Sequence, residues 1–150
     1  MKTLPQAFVA RATAEPHRLI ARHKYRGIWR EFRYGDVLER VRNLAVGLQS
    51  MSFARGETVA IIGENEPENF WVELAVLSLG GKVVSLYPDL TVGEIEYLLN
   101  DSQAVYFVGQ DQEQIDKGLA VLGSVPTLRR LIYWDDTGMW SYRQPSLMKL

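Results

Sequence analysis

The sequence predicts an α/β fold: a mainly parallel layered sheet with crossover helices, preceded by an N-terminal helix and a β-hairpin. Three observations carry that expectation. Four short apolar runs, at 58–62, 83–87, 105–108 and 131–134, are continuous rather than alternating, as in strands buried on both faces. Helical patterns lie between them at about 67–80, 92–101 and 112–122, and the alternation β-α-β-α-β-α-β is that of a layered sheet with crossover connections. The 150-residue length and 47% apolar content suit one globular domain with a sizeable core.

Taken in order, residues 5–14 read as a short helix with Phe8, Val9 and Ala12 apolar. Residues 18–23 and 27–32 are two extended runs joined by Lys24-Tyr25-Arg26, which predicts a hairpin. Residues 35–51 form the clearest amphipathic helix, since Val37, Leu38, Val41, Leu44, Ala45 and Leu48 recur at three- and four-residue spacing. In the α/β part, Thr91 with Glu94 has capping-box spacing, and so has Asp111 with Gln114. Pro67 suits a first helical position, with Asn65 or Glu66 as its cap. Gly80-Gly81 punctuates the end of that helix. Between 70 and 79 only Glu73 and Ser78 interrupt an apolar circumference. Such a helix is normally buried all round, so the expectation is a flank left uncovered by missing protein; a snug fit within this chain is the alternative.

Composition narrows the function classes. A formal net charge of −1 provides no global basic field for nucleic acid. The absence of cysteine excludes disulfides and thiolate metal sites. The most apolar stretch, 74–87, holds Lys82 and two glycines and falls short of the ~18 apolar residues of a membrane span. A soluble, cytoplasmic protein is expected, with peripheral lipid contact left open.

The turn Gly63-Glu64-Asn65-Glu66-Pro67 has one glycine and two glutamates where a dinucleotide-binding turn has three spaced glycines. It reads as a capped turn. Gly81-Lys82 leads into a strand and makes no P-loop. His17 and His23 lack metal or triad spacing. The acidic run 111–116 reads as a helix N-terminus rather than a calcium loop, and Asp135-Asp136-Thr137-Gly138 reads as a turn. A phosphoacceptor receiver remains a weak alternative, because no strand lysine is evident after Val105.

Read together, several segments resemble the adenylate-forming family of acyl-CoA ligases. They are Tyr34-Gly35-Asp36-Val37-Leu38 with Leu44-Ala45-Val46-Gly47-Leu48, Gly56 through Ile62, Asn65 with Pro67-Glu68-Asn69-Phe70-Trp71, Glu73 through Gly81, and Val84-Ser85-Leu86-Tyr87-Pro88. Residues 111–117 and 131–138 resemble the bacterial long-chain fatty acid branch. The resemblance implies a two-step reaction. A carboxylate and ATP give an acyl-adenylate and pyrophosphate, with magnesium assisting; CoA then displaces AMP. The family's Ser/Thr/Gly-rich loop ending in Pro-Lys, its later acidic and aromatic nucleotide contacts and its C-terminal lid have no matching stretch here. No catalytic, cofactor-binding or metal residue is therefore expected in this chain. Residues 1–150 are expected to be the N-terminal portion of an AMP-binding ligase domain. Its partners would be the missing remainder of the ligase chain, fatty acid, ATP and CoA. A stand-alone non-catalytic α/β interaction module is the alternative. Two departures from the family pattern bear on stability: Ser52 stands where a helix-ending glycine is usual, and Arg33 replaces a threonine cap.

Overall fold

The computed structural model describes residues 3–150. Helix α1 (Leu4–Ala14) is followed by strands β1 (Leu19–Tyr25) and β2 (Ile28–Arg33) and helix α2 (Tyr34–Ser50). The α/β part comprises β3 (Thr58–Ile62), α3 (Pro67–Ser78), β4 (Lys82–Leu86), α4 (Val92–Ser102), β5 (Ala104–Gly109), α5 (Gln112–Val121) and β6 (Arg130–Tyr133). A 3-10 turn (Met139–Ser141) and a short strand β7 (Leu147–Lys149) follow. Contacts group the residues into two compact units rather than the single domain that length suggests. One holds residues 1–55 and 66–80, the other 56–65 and 81–150.

In the first unit, α1 packs on α2 and α3. Thr3 caps α1 through a box with Gln6, which the sequence reading missed. The hairpin forms, but its turn is Arg26-Gly27 rather than Lys24-Tyr25-Arg26. Both turn residues have positive φ, 48° and 82°, as a two-residue hairpin loop needs to match strand twist. On the body side of the hairpin, Phe32 meets Trp71 edge-on at 5.2 Å. Arg40 lies over the same indole at 4.7 Å.

Helix α3 is mostly buried, through Trp71, Val72, Leu74, Ala75 and Val76. Phe70 is 37% exposed and Leu77 and Leu79 are half-buried. The helix thus finds most of its cover within this chain, and the uncovered flank is narrower than the apolar circumference suggested. Glu66 occupies its N-cap position without a side-chain capping bond, and Pro67 opens it.

Helix α2 starts without a capping hydroxyl. Asp36 accepts the Arg33 backbone N–H at 3.3 Å, and the Arg33 guanidinium instead donates to the His17 carbonyl. Its C-terminus is a Schellman motif. The Phe53 N–H reaches the Leu48 carbonyl at 3.0 Å, and the Ser52 N–H reaches that of Gln49 at 2.9 Å. Leu48 and Phe53, both buried, supply the accompanying apolar pair. The motif needs a left-handed residue, and Ser52 sits there at φ 65°. Ser52→Gly is expected to stabilise the chain by about 1 kcal/mol. Chemical denaturation checks this; a lower midpoint for the variant contradicts it.

The second unit is a five-stranded sheet in the order β4-β3-β5-β6-β7, with every pairing parallel. The four expected strands all form. β7 was not expected: three residues are too few to show a pattern. On one face Ala60, Ile62, Phe107 and Leu131 pack with Ile95 and Leu99 of α4 and Ile115 of α5. The alternate residues Val59, Ile61, Tyr106, Val108 and Ile132 are buried as well, so the runs of β3, β5 and β6 do mark strands buried on both faces, whereas β4, at the sheet edge, buries only Leu86 and leaves Ser85 exposed. The Thr91–Glu94 box is complete. Asp111 accepts the Gln114 N–H, but the Gln114 side chain turns to Lys117 instead of closing the box.

Candidate functional site

In an open parallel sheet the natural ligand crevice lies beyond the carboxyl ends of the strands, where the connection reverses direction. Here the chain runs from β3 out to β4, then returns past β3 to β5, which puts the reversal between the ends of β3 and β5. That position is filled by the protein itself. Gln110 follows β5, and its backbone N–H donates to the Ile62 carbonyl at 3.0 Å. Its side-chain oxygen accepts the Glu64 N–H at 2.6 Å. The Asp135 N–H donates to the Gln110 carbonyl at 2.8 Å, tying in the end of β6. Gly63, at φ 155°, has Gln110 and Trp134 so close that an added Cβ would lie 2.7 Å and 2.8 Å from their side chains. The glycine makes room for protein atoms, not for a pyrophosphate.

The two segments that resemble the long-chain branch meet in space. Gln112 donates to the Tyr142 hydroxyl at 3.1 Å, and that hydroxyl donates to the Asp116 carboxylate at 2.5 Å. The bond to Asp116 raises the Tyr142 pKa above the ordinary phenol value. Gly138, at φ 82°, lies against the Gln112 side chain. The loop after β6 is thereby fastened to α5.

Magnesium is usually held by one or two carboxylates together with substrate phosphates. The acids at the strand ends are engaged separately: Asp111 caps α5, Asp135 accepts from the Thr137 N–H and hydroxyl, and Asp136 is ion-paired with Lys149. No group of three or more His, Asp or Glu side chains among the described residues could hold a metal. Lys149 does lie in a strand, β7, contrary to the expectation of no strand lysine after Val105; it pairs with Asp136 and feels the charge of Asp135, and among the described residues no group of three acids gathers there.

The other lysines are dispersed. Lys24 is on β1, Lys82 on β4 and Lys117 on α5, where Lys117 bonds the Pro88 carbonyl and pairs with Glu113. Lys2 lies outside the described residues. His17 and His23 gather no metal-binding group among the described residues.

One carboxylate is perturbed. Burial raises the Glu68 pKa, Glu66 adds to it, and His23 and Arg40 oppose it. A folded-state pKa above the unfolded one means that ionised Glu68 disfavours the fold. Stability is gained as pH falls through the raised pKa, and the gain is complete below the unfolded value. Glu68→Gln is therefore expected to raise the melting midpoint at neutral pH, an advantage that fades in acid. Melting curves across pH check it; an advantage that does not change with pH contradicts it.

Among the described residues, no helix is long and apolar enough to cross a membrane. Comparison with known proteins agrees with this architecture. The AMP-binding enzyme family matches residues 8–145. A long-chain-fatty-acid–CoA ligase of Mycobacterium bovis is 25% identical over 118 residues, 79% of this chain and 20% of that protein. The Drosophila melanogaster long-chain-fatty-acid–CoA ligase heimdall is 28% identical over 104 residues, 69% of this chain and 15% of that protein. This chain thus spans a fifth or less of these two relatives. In fold it is similar to acetoacetyl-CoA synthetase from Streptomyces lividans, with a TM-score of 0.84 at 16% identity, over 97% of this chain and 24% of that one. It is also similar to coronafacic acid ligase from Pectobacterium brasiliense, with a TM-score of 0.83 at 17% identity, over 97% and 28%. With a match that extends from α1 to the loop before β7, the chain belongs to the AMP-binding enzyme family.

Proposed function

We propose that this chain is the N-terminal scaffold of an ATP-dependent long-chain fatty acid–CoA ligase and carries none of that enzyme's catalytic, nucleotide-binding or metal-binding residues. The similarity to proteins named long-chain-fatty-acid–CoA ligases, over 69–79% of this chain, carries the reading. The crevice between β3 and β5, occupied by Gln110, supports the second half of it.

In the whole enzyme, a carboxylate oxygen of the fatty acid attacks the α-phosphorus of ATP and pyrophosphate leaves. The CoA sulfur then attacks the acyl carbon and AMP leaves. Such chemistry needs donors and cations preorganised around the phosphates and a closing element that keeps water from the adenylate. The remainder of the ligase would provide both, while this chain supplies a rigid parallel sheet. Fatty acid, ATP and CoA are partners of that whole protein. The test is thioester formation by the longest natural polypeptide that contains this chain, with long-chain and short-chain acids compared. The expected result is ATP-dependent acyl-CoA formation that favours the long-chain acid by about tenfold or more, as several added methylenes allow. Activity confined to short or aromatic acids contradicts the long-chain reading.

A further inference from the structure

The β1–β2 hairpin differs in charge from the rest of the chain. Arg22, Lys24, Arg26, Arg30 and Arg33 stand on it with Glu31 as its one acidic residue, in a chain of net charge −1. Glu31 is already shared by Arg22 at 3.0 Å and Arg33 at 3.8 Å. Lys24, Arg26 and Arg30 have no carboxylate partner among the described residues and lie over aromatic rings instead. Lys24 is 5.9 Å from the Trp29 ring, and Arg26 and Arg30 are 5.2 Å and 4.3 Å from the Tyr25 ring. Directly after the Arg26-Gly27 turn, Ile28 is 70% exposed and Trp29 62% exposed. The tip therefore combines an aliphatic side chain and an indole with cations that have no acid to neutralise them.

We propose that this hairpin tip docks the protein on an anionic phospholipid surface, with Ile28 and Trp29 entering the interface and Lys24, Arg26 and Arg30 facing the headgroups. Indole rings favour the headgroup level, and clustered Lys and Arg are drawn to anionic leaflets. A single strand of nucleic acid is a poorer fit. Successive bases need a run of stacking faces along a basic groove, whereas Ile28 offers no ring and the Tyr25 ring already carries Arg26 and Arg30, leaving Trp29 as a lone stacking face at the tip. The inference stands on the hairpin alone and does not depend on the ligase reading.

The test is co-sedimentation with vesicles of equal parts phosphatidylglycerol and phosphatidylcholine, against pure phosphatidylcholine, at low and raised salt. Binding to the anionic vesicles alone, weakened by salt, is expected. Reversing the three cations (Lys24→Glu, Arg26→Glu, Arg30→Glu) is expected to weaken it about tenfold or more. Because a variant could misfold, a second readout uses the native sequence. Trp29 emission, isolated by difference from Trp29→Phe, should shift to the blue and become shielded from acrylamide on vesicle addition. Equal binding to neutral vesicles overturns the proposal, as does tighter binding to single-stranded RNA. So does a Trp29 already shielded from acrylamide, before lipid is added, in the longest natural polypeptide.

Discussion

Gly63→Ala is expected to lower the unfolding free energy by about 3 kcal/mol, the sum of a strained backbone and an overpacked contact. The added Cβ would lie 2.7 Å from the Gln110 Cβ, 2.8 Å from the Trp134 ring and 2.9 Å from the Gln110 side-chain oxygen. Neither neighbour can retreat at little cost. Gln110 is held by its backbone bonds to Ile62 and Asp135 and by the Glu64 N–H, and its Cβ moves only with that backbone. Gly63 also sits at φ 155°, at the edge of the region that side chains avoid. A melting midpoint lower by roughly 6–12 °C is the expected readout. Gly47→Ala is the matched control: nothing lies within 4 Å of its added Cβ in α2, and a gain of up to about 1 kcal/mol follows from helix propensity. A Gly63→Ala variant as stable as the parent would show that the end of β3 is roomy, and that Gln110 does not plug it.

Gly118→Val is expected to cost about 2–3 kcal/mol by overpacking. Gly118 is buried in α5, and a Cβ there would lie 2.9 Å from the Phe107 ring and 3.0 Å from Leu131. Both neighbours are fully buried in the sheet core, so α5 must lift from β5 and β6 to admit the two methyls. Denaturant unfolding measures the loss. Gly118→Ala separates the causes, because its gain in helix propensity of about 1 kcal/mol offsets part of the clash. If valine is tolerated, α5 does not pack against β5 and β6 as closely as these distances require.

Strands β3, β5 and β6 were legible because burial on both faces leaves continuous apolar runs, and α2 because its stripe repeats at helical spacing; β4 was legible from its apolar run although, as an edge strand, it is only partly buried. Ser52 was legible too: a helix end without glycine leaves a left-handed position to be filled by something costlier. The hairpin turn begins two residues and ends one residue later than the sequence suggests, since Gly27 is the residue that admits the turn and the positive φ at Arg26 leaves no mark in composition. β7 escaped because its pairing with β6 is set by the loop before it, where the Ser146 carbonyl accepts the Leu131 N–H. At the crevice, the sequence excluded a phosphate cradle from two glutamates and a single glycine. It could not name the plug, because a glutamine after a strand looks like any loop residue until β3 and β5 are neighbours. The glycines at 118 and 138 were equally opaque, since each answers to a side chain distant in sequence: Phe107 across the core and Gln112 on α5.

The central claim is that this chain is scaffold and carries no part of the adenylation chemistry. The most direct test is exchange of labelled pyrophosphate into ATP by the isolated chain, with a long-chain acid and magnesium present, alongside direct titration with ATP. The account predicts no exchange above a no-protein control and no saturable ATP binding. Exchange clearly above that control, and abolished by substitutions at residues of this chain such as Lys117 or Lys149, would contradict it and place an active site here.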